Sequence, residues 1–575
     1  MEIYRKLIDR NDDVVAEAMR QQVREPGARH EGGIVHSHVG IPSPSHVGTG
    51  AYMASMAASL VTKESKYYHS LELLAALERA ADYLLRKQHA DGTISPGWTN
   101  FHSPPDTGFL VTGLVQIVQV LERSGWEAAQ PVVEKLRQFL ERSIPAFLTG
   151  GCHTPNHRWV MTAALGALHQ LYADPVLLER AEQWLAEGMD CTEDGEWTER
   201  SNGIYNTVSN IMLIYTARYL GRPELLEPVR RNLEMMAYMI HYDGEVVTDY
   251  SGRQDLGQRY DLSEYFLSYR WMAALDGNPR FASMYDLAAE RLVRLGPINN
   301  HALLGYLAFP CEVKGVERSA LPEHYMKLFN HQYPHAGHLA RMQEAGHHMQ
   351  VQHTSLHTAF GAPVVRWRSG ISSATLMAHS KTMFALRHGE ARVLGIGISS
   401  LFMPGPVEMQ RLEEAEDGFH MGAVMHKGYN GPIDVQQLPA SAREPISPWY
   451  LLPHQHRELT HVQRHELAVT AKLVEEREWV LAMHSDDHED VVYQVALWLG
   501  EGELEGGQFE DAGNGRLYWL GGTVRYTAGG RTIELSGGRK EHGQPDMSSL
   551  AVSAGRTLLV NLVTPFDAEL RIRLK

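Results

Sequence analysis

The sequence has few cysteines and no long apolar run, and both absences narrow the class of protein. The three cysteines, Cys152, Cys191 and Cys311, are odd in number and widely spaced among 575 residues. They fit neither a disulfide framework nor a Cys-x-x-Cys metal site. No apolar run reaches about 18 residues, and the N-terminus carries charges where a signal peptide is apolar. We therefore expect a cytoplasmic protein that does not cross a membrane.

Positive charge is also scarce, because 53 Lys and Arg residues stand against 69 Asp and Glu residues, which gives a net charge of −16. This balance disfavours nucleic acid and anionic membrane surfaces as partners. The chain also lacks the sequence signatures of nucleotide-binding proteins, zinc peptidases and serine hydrolases. With 43% hydrophobic and 21% charged residues, it has the composition of a folded protein of several domains.

Apolar residues recur at helical spacing from about residue 10 to residue 330, for example over 71–88, 107–125 and 206–221. Within this half, helices repeatedly stop at an Asp-Gly turn and continue as extended chain. These turns are Asp91-Gly92, Asp194-Gly195 and Asp243-Gly244. Their spacing indicates a repeat of about 50 residues, which is the length of a helical hairpin with its connections.

About six such hairpins fit into the first 300 residues or so. We expect them to close into a ring, an α/α toroid that spans residues 1–330. An open solenoid of hairpins or an irregular helical domain has the same periodicity, so the period alone does not decide closure.

After about residue 345 the apolar period changes to two, and Gly, Asn and Asp turns separate short segments such as 391–399 and 491–500. This pattern predicts an antiparallel β-sandwich, which we assign to residues 331–575. The fold class is thus α+β with two domains, and segment 310–345 contains their junction.

Four polar loops lie at equivalent positions of the helical repeat. The second helix of each unit is predicted to begin near Asp106, Asn156, Asn206 and Tyr260. The loops before these starts are 99–108, 150–159, 199–207 and 248–261, and equivalent loops of a ring lie on one rim. We therefore expect their side chains to converge on one cleft.

Asn156 and His157 open a helix after Pro155, and Tyr205 lies one repeat further along the chain. Asn156 as a helix cap, His157 on the first turn and Tyr205 as a packed ring are the structural interpretations. The functional interpretation is that an amide and an imidazole at a helix N-terminus bind a carboxylate, with the phenol of Tyr205 nearby.

Two segments resemble one family of enzymes. DGEWTERSNGIY (194–205) resembles a stretch of the toroid-plus-β-sheet polysaccharide lyases, the heparinase II/III-like and oligoalginate lyase group, which carry an Asn-His pair one hairpin earlier. AHSKTMFALRHGEARVLGIG (378–397) is similar to their first β-domain strands and places His379 at the third catalytic position. The family's usual His-x-His-x-Asp pattern is only AHSK here, which leaves His335, His338, His348 and His353 as alternatives to His379.

The resemblance implies cleavage of uronate glycans by β-elimination, which leaves a 4,5-unsaturated uronate. Asn156 and His157 would neutralise the substrate carboxylate so that the C5 proton becomes acidic. Tyr205 would protonate the leaving O4, and either Tyr205 or His379 would remove the C5 proton. Which of the two is the base depends on whether the elimination is syn or anti, and the sequence leaves that open.

Further residues are candidates for substrate binding. His102 and Asp106 are expected to line subsites, and Arg253, Arg259 and Arg341 to hold further carboxylates. Solvated surface positions are the alternative for each of them. The Gly- and His-rich loop 32–50 is interpreted as a cover of the cleft, with ordinary N-terminal irregularity as the alternative.

A histidine cluster has residue types that occur at zinc sites, namely His347, His348, His353 and His357. In a strand, residues 348 and 353 point to opposite faces, and no Cys or Asp is spaced to complete a tetrahedron. We expect no cofactor and no catalytic metal, and we leave a structural metal open.

The leading hypothesis is thus a lyase whose partner is a uronate-containing oligosaccharide and which acts from a chain end. The alternatives are a toroid glycoside hydrolase of uronides, using Asp106 with Glu199 or Asp255, and a non-catalytic glycan-binding protein. A homodimer is an expectation that rests on the resemblance alone.

Overall fold

The computed structural model describes residues 2–36, 38–345, 356–440, 449–545, 547 and 555–575. The chain divides into two compact units. The first comprises Met1–Glu323 and Gln332–Gly361, and the second comprises His324–His331 and Ala362–Lys575. The chain thus enters the second unit for one short strand, returns to the first unit and then leaves it again, whereas the sequence pattern placed a single boundary after residue 330.

The first unit is helical, and its described part contains thirteen α-helices. They are α1 (Glu2–Gln21), α2 (Thr49–Val61), α3 (Leu71–Lys87), α4 (Pro104–Ser124), α5 (Gln130–Thr149), α6 (Pro155–Tyr172), α7 (Pro175–Leu185), α8 (Tyr205–Leu220), α9 (Glu227–Met236), α10 (Phe266–Asp276), α11 (Pro279–Glu290), α12 (Ala302–Ala308) and α13 (His335–Ala345).

The even-numbered helices α2 to α12 form an inner ring. Each of them contacts the next, and α12 contacts α2, so the cycle of contacts closes. The odd-numbered helices α1 to α11 pack outside this cycle, as α3 does against α2 and α11 against α10. Closure explains the composition of the inner helices: residues 105–118 of α4 and 159–168 of α6 are all buried, and a helix enclosed on every side is apolar all round.

The inner helices begin where the repeat predicts, with one exception. Helix α4 is capped by Ser103, whose side chain accepts from the backbone of Asp106, and α6 and α8 start at Pro155 and Tyr205. Helix α10 starts at Phe266 rather than near Tyr260. The reason is local, because Asp261 accepts a hydrogen bond from the backbone of Ser263 at 2.8 Å and starts a short 3₁₀ turn first.

The second unit is built from sixteen strands in its described part. They are β1 (His324–Phe329), β2 (Val364–Ser369), β3 (Ser372–Met377), β4 (Phe384–His388), β5 (Ala391–Ser400), β6 (Gly405–Pro406), β7 (Arg411–Ala415), β8 (Gly418–Asn430), β9 (Leu459–Val474), β10 (Glu478–Ser485), β11 (Val492–Leu499), β12 (Glu503–Gly513), β13 (Arg516–Ala528), β14 (Arg531–Ser536), β15 (Arg556–Val563) and β16 (Phe566–Leu574).

These strands form one continuous sheet in the order β1-β2-β3-β4-β5-β11-β15-β13-β14-β16-β10-β9-β8-β7, while β12 pairs with β13 and β6 with β5. The prediction of a purely antiparallel fold is wrong where β13 and β15 pair in parallel. A parallel pair needs a long connection, and here the connection includes β14. An alternating apolar pattern is the same in parallel and antiparallel strands, so it did not predict this pairing.

The core of the second unit shows how this sheet is arranged. Trp479 on β10 is fully buried, and its ring lies 5.7 Å from that of Trp367 on β2 and 5.5 Å from that of Phe384 on β4. These strands are not neighbours in the sheet, so the sheet folds over and packs against itself.

Among the helices that the structure describes, none combines the length and apolar character needed to span a bilayer.

Gly92, in the first Asp-Gly turn, combines a left-handed backbone with a close approach to another chain segment. Gly188, which follows Glu187 and is not part of an Asp-Gly turn, has only the left-handed backbone, so substitutions at the two positions separate the two effects. Gly92 and Gly188 have φ values of +83° and +81°, but a Cβ at Gly92 would overlap the carbonyl oxygen of Arg142, whereas Gly188 has open space around it. Gly188→Ala should cost about 1 kcal/mol for the left-handed backbone alone. Gly92→Ala should cost about 1–3 kcal/mol more, because the backbone must shift.

Urea unfolding followed by far-ultraviolet circular dichroism, which reports mainly the helices, measures both losses. Equal destabilisation by the two substitutions would contradict the close approach of the turn at Gly92 to helix α5.

Candidate active site

The first unit contains a cavity of ≈ 680 Å³. Its wall is formed by the loops that precede α4, α6, α8 and α10, together with residues 46–47 and the segment 293–299 before α12. These are the equivalent loops of the repeat, so the closed ring brings them to one place. The loop 32–50 contributes His46 and Val47 to the wall, and its role as a cover of the cleft stays a prediction.

A buried carboxylate links two of these loops. Glu199, on the loop before α8, is 3% exposed, and its Oε2 accepts hydrogen bonds from the backbone N–H and the side-chain amide of Asn156, at 3.0 and 2.6 Å. Asn156 lies in the first turn of α6, where backbone N–H groups are unpaired and favour an anion. The amide of Asn156 is therefore engaged by the protein's own carboxylate, and Asn156 is not among the described residues that line the cavity.

The other oxygen of Glu199, Oε1, forms an ion pair with Arg253. The guanidinium of Arg253 lies over the ring of Tyr205, 4.1 Å from the ring centroid, and both residues line the cavity. A cation over an aromatic face is attracted by the ring, more strongly where water is excluded. Asn156, Glu199, Arg253 and Tyr205 thus form a connected set across three hairpins.

Tyr205 is held at the start of α8 by a tightly packed turn. Asp255 is fully buried, and it accepts hydrogen bonds from Ser201 Oγ and the backbone N–H of Gly203, both at 2.9 Å. A Cβ at Gly203 would lie 2.7 Å from the ring of Tyr260, so only glycine permits this contact. Asp255 therefore anchors the turn that carries Tyr205, and it does not line the cavity.

The phenol of Tyr205 remains protonated in this environment. Burial raises the pKa of Tyr205, and the nearby Asp255 carboxylate raises it further, whereas the neighbouring side chain of Gln254 lowers it. Since the net direction is upwards from a value that is already far above neutrality, Tyr205 is suited to donate a proton.

Two histidines in the wall are held neutral. Burial lowers the pKa of His157 to about 3, assisted by the neighbouring His153 and Arg253. Burial also lowers the pKa of His46 to about 4, against the opposing effect of Asp106. His157 packs edge-on against His153, at 4.9 Å between ring centroids. Neither His46 nor His157 therefore adds positive charge to the cavity near neutral pH.

Carboxyl groups line part of the cavity, namely those of Asp106, Asp261 and Glu264. Asp106 is 4% exposed and accepts hydrogen bonds from Ser103 Oγ at 2.6 Å and Asn100 Nδ2 at 2.8 Å. Burial raises the pKa of Glu264 to about 7, although its hydrogen bond from Asn300 Nδ2 at 3.2 Å acts in the opposite direction. A carboxyl group that titrates near neutrality in a cavity is suited to proton transfer.

The structure places the predicted binding residues in two groups. Asp106, Arg253 and Arg259 line the cavity, together with His157 and Tyr205. His102 and Arg341 are not in its wall. His102 is exposed and pairs through Nδ1 with Asp91 Oδ2 at 2.8 Å, and Arg341 lies on the exposed side of α13. Both side chains are exposed, and their part in substrate binding stays a prediction.

His379 belongs to the second unit, in the turn after β3, where its backbone N–H donates to the carbonyl oxygen of Met409 at 2.8 Å. Its catalytic role stays a prediction. His335 and His338, its alternatives, lie on α13 of the first unit. Three members of the proposed histidine cluster, His347, His348 and His353, lie outside the described residues, so the cluster stays untested. Burial lowers the pKa of the fourth member, His357, to about 4.

Several cavity residues escaped the sequence analysis, among them Trp98, Gln254, Glu264 and Arg294. Trp98, Gln254 and Glu264 lie on or directly beside the predicted loops, so the repeat located their segments but not their orientation. Arg294 follows α11 in a segment with no polar motif, and nothing in the sequence singled it out.

No family model and no curated protein sequence matches this chain. Solved structures do match it. A heparinase III superposes with a TM-score of 0.50 at 9% identity, covering 98% of this chain and 84% of that one. A chondroitinase AC lyase gives 0.50 at 11%, covering 99% and 82%. A xanthan lyase from Paenibacillus gives 0.54 at 10%, and this chain spans 57% of its length.

The chain has the fold of the toroid-plus-β-sheet polysaccharide lyases. The resemblance seen in the sequence is thereby confirmed at the level of fold. Because the match covers both units, the polysaccharide lyase fold accounts for the helical ring and the large sheet together. At about 10% sequence identity the match concerns the fold, and the chemistry depends on this protein's own side chains.

The low pKa of His157 links stability to pH. Between pH 6.5 and about 3 the unfolded chain binds a proton at this residue that the folded chain does not, so the free energy of unfolding falls as the pH falls through this window. One such group contributes up to about 1.4 kcal/mol per pH unit. His157→Gln should therefore lose less stability than the parent protein on acidification.

Urea midpoints measured across this pH window test the difference in slope, with the exposed His38 replaced by Gln as the control. If the parent protein and the His157→Gln variant have the same slope, His157 is not buried in its neutral form.

Proposed function

We propose that the protein is a lyase that cleaves uronate-containing oligosaccharides by β-elimination and leaves a 4,5-unsaturated uronate at the new end. The observation that carries this proposal is the position of Arg253, which is held by Glu199 on one side and lies over Tyr205 on the other, in the wall of the cavity. A fixed cation next to a protonated phenol supplies two of the three groups that this elimination requires.

The first requirement is neutralisation of the uronate carboxylate. The C5 proton of a uronate becomes acidic only when charge that develops on the carboxylate is stabilised, and preorganised donors do this best. Arg253 supplies a guanidinium, whose planar donors match a carboxylate. Sequence reasoning gave this role to Asn156 and His157, but the Nδ2 group of Asn156 already donates to both Glu199 and Thr154. Asn156 is better suited to position Glu199, and through it Arg253.

The second requirement is a proton for the leaving O4. Tyr205 supplies it, since burial keeps its phenol protonated and the residue lines the same cavity as Arg253. The positive charge of Arg253 over the ring stabilises the phenolate that remains after transfer. This division of labour makes Tyr205 the acid in the proposed reaction.

The third requirement is a base for the C5 proton. His157 is neutral and lines the cavity, so its imidazole is available to accept a proton. A substrate carboxylate bound nearby would raise its pKa and strengthen it as a base. His379 remains the alternative base that the sequence resemblance implies. The variants His157→Ala and His379→Ala distinguish the two, because only the variant that lacks the base should lose turnover.

The expectations on context belong to the same proposal. Small oligosaccharides imported into the cytoplasm would be cleaved from a chain end, and an elimination of this type needs no cofactor because all three groups come from the protein. A homodimer remains an expectation from the family resemblance.

A glycoside hydrolase is the second candidate, and one observation favours it. Glu264, with a pKa near 7, lines the same cavity as Asp106, and inverting or retaining hydrolases pair a protonated carboxyl with an ionised one. The carboxylates suggested earlier fit less well, since Glu199 is bound by Arg253 and Asp255 is fully buried. Hydrolysis creates no new double bond, so the product distinguishes the two reactions.

Tyr205→Phe tests the acid role directly. Loss of the transferred proton should reduce kcat by about 10²–10⁴-fold, with a small change in oligosaccharide binding, because the ring under Arg253 remains. The measurement is the rise in ultraviolet absorbance of the unsaturated product over a panel of uronate oligosaccharides.

The partly exposed Tyr68, which lies outside the cavity wall, provides the control as Tyr68→Phe. An undiminished rise in absorbance with Tyr205→Phe would remove Tyr205 from the mechanism. Binding by the parent protein with no product at all would favour the non-catalytic alternative, and products without a double bond would favour the hydrolase.

Trp98 tests the location of the sugar. Its indole is 42% exposed in the cavity wall, whereas Phe101 on the same loop is 66% exposed and does not line the cavity. If a sugar ring stacks on Trp98, Trp98→Ala should raise KM by about tenfold, which corresponds to roughly 1.4 kcal/mol, and should leave kcat nearly unchanged. Phe101→Ala should change neither constant, and an equal effect of both substitutions would argue for a general loosening of the loop.

A further inference from the structure

The charged side chains of the cavity wall balance one another. Three guanidinium groups, those of Arg253, Arg259 and Arg294, line the cavity together with the carboxyl groups of Asp106, Asp261 and Glu264. No lysine occurs among the described residues of the wall. The cavity therefore lacks the excess of positive charge that a densely anionic ligand requires.

Two of the three arginines are already compensated by carboxylates of the protein. Arg253 pairs with the buried Glu199, and Arg259 pairs with Glu245, whose Oε2 lies 3.0 Å from its Nε. His46 and His157 add no positive charge near neutral pH, since burial lowers the pKa of His157 to about 3 and that of His46 to about 4. The guanidinium of Arg253 has donors beyond the one that meets Glu199, so it can also hold one substrate carboxylate, with little charge left for further anions.

The carboxyl groups also have a preference in hydrogen bonding. An ionised carboxylate only accepts hydrogen bonds, and the hydroxyl groups of a sugar donate them. A sulfate ester replaces such a hydroxyl by a group that only accepts and carries negative charge, so it loses the hydrogen bond and adds repulsion. Glu264, which is partly protonated near neutral pH, adds no positive charge in either form.

We infer that the substrate is an unsulfated uronate oligosaccharide, with one carboxylate at Arg253 and the adjoining sugars recognised through their hydroxyl groups by Asp106, Asp261 and Glu264. This inference rests on the proposed lyase function and narrows its substrate class. It excludes sulfated uronate glycans as good substrates, because each sulfate would lie in a cavity whose described arginines are matched in number by carboxyl groups. The net charge of −16 on the whole chain acts in the same direction.

The test uses the full-length protein and pairs of uronate oligosaccharides that share a backbone and differ only in sulfation, drawn from several backbones. The formation of unsaturated product gives kcat/KM for each member. We expect the unsulfated member of the preferred pair to be cleaved with a kcat/KM at least about tenfold higher, a discrimination that a few repulsive contacts supply.

A charge-removing variant links this preference to the cavity. Asp261→Asn combined with Glu264→Gln should narrow the difference between sulfated and unsulfated substrates, which a purely structural role of these residues would not do. Glu193→Gln removes the same type of charge from a side chain that is 97% exposed and lies outside the cavity wall, and it should leave the difference unchanged.

The outcomes separate the two proposals. Equal or faster cleavage of the sulfated members by the parent protein would overturn the inference and leave the lyase function intact. Unsaturated product from no member of the panel would overturn the proposed function, and the inference with it. If the double variant does not fold, the ratio measured for the parent protein and for Glu264→Gln alone still decides.

Discussion

The ion pair between Arg253 and Glu199 is the constraint on which the site depends. Both side chains are largely removed from water, at 15% and 3% exposed, and a buried charge is tolerated only when it is paired and hydrogen-bonded. Glu199 meets this condition by accepting two further hydrogen bonds from Asn156 at the start of α6. Removing any one of the three groups would leave an uncompensated charge or a broken network inside the first unit.

This pairing also explains why the cavity is built from several hairpins. Asn156, Glu199 and Arg253 come from three successive loops of the repeat, and the closed cycle of inner helices holds these loops in register. Tyr205 is fixed in the same way, since the fully buried Asp255 binds the turn before α8 to the loop that carries Arg253. The polar network therefore ties neighbouring hairpins together at the place where the proposed chemistry occurs.

The electrostatic character of the cavity follows from burial as much as from composition. A count of 31 histidines suggests a chain rich in groups that titrate near neutral pH. Within the cavity wall, however, burial lowers the pKa values of His46 and His157 and so keeps both in their neutral forms. Burial also raises the pKa of Glu264 to about 7, which favours its uncharged form. The wall is thus polar and evenly balanced, which suits recognition of hydroxyl groups around a single carboxylate.

Periodicity in the sequence was sufficient to predict a helical half followed by a β half, the 50-residue hairpin repeat, and the convergence of the loops that carry His157, Tyr205 and Arg253. The same information did not reveal that the amide of Asn156 is bound to Glu199, or that His102 pairs with Asp91 instead of facing the cavity. It also missed Glu264 and the parallel pairing of β13 with β15.

The sequence by itself determined which segments form helices and strands and which loops share one end of the repeat, because apolar spacing and Asp-Gly turns are local properties of the chain. Only the tertiary structure decided which polar side chains on those loops line the cavity and which form hydrogen bonds and ion pairs that connect the loops. The reason is that hydrogen-bond partners such as Asn156 and Glu199 are 43 residues apart in the chain, and their pairing and burial arise only when the ring closes.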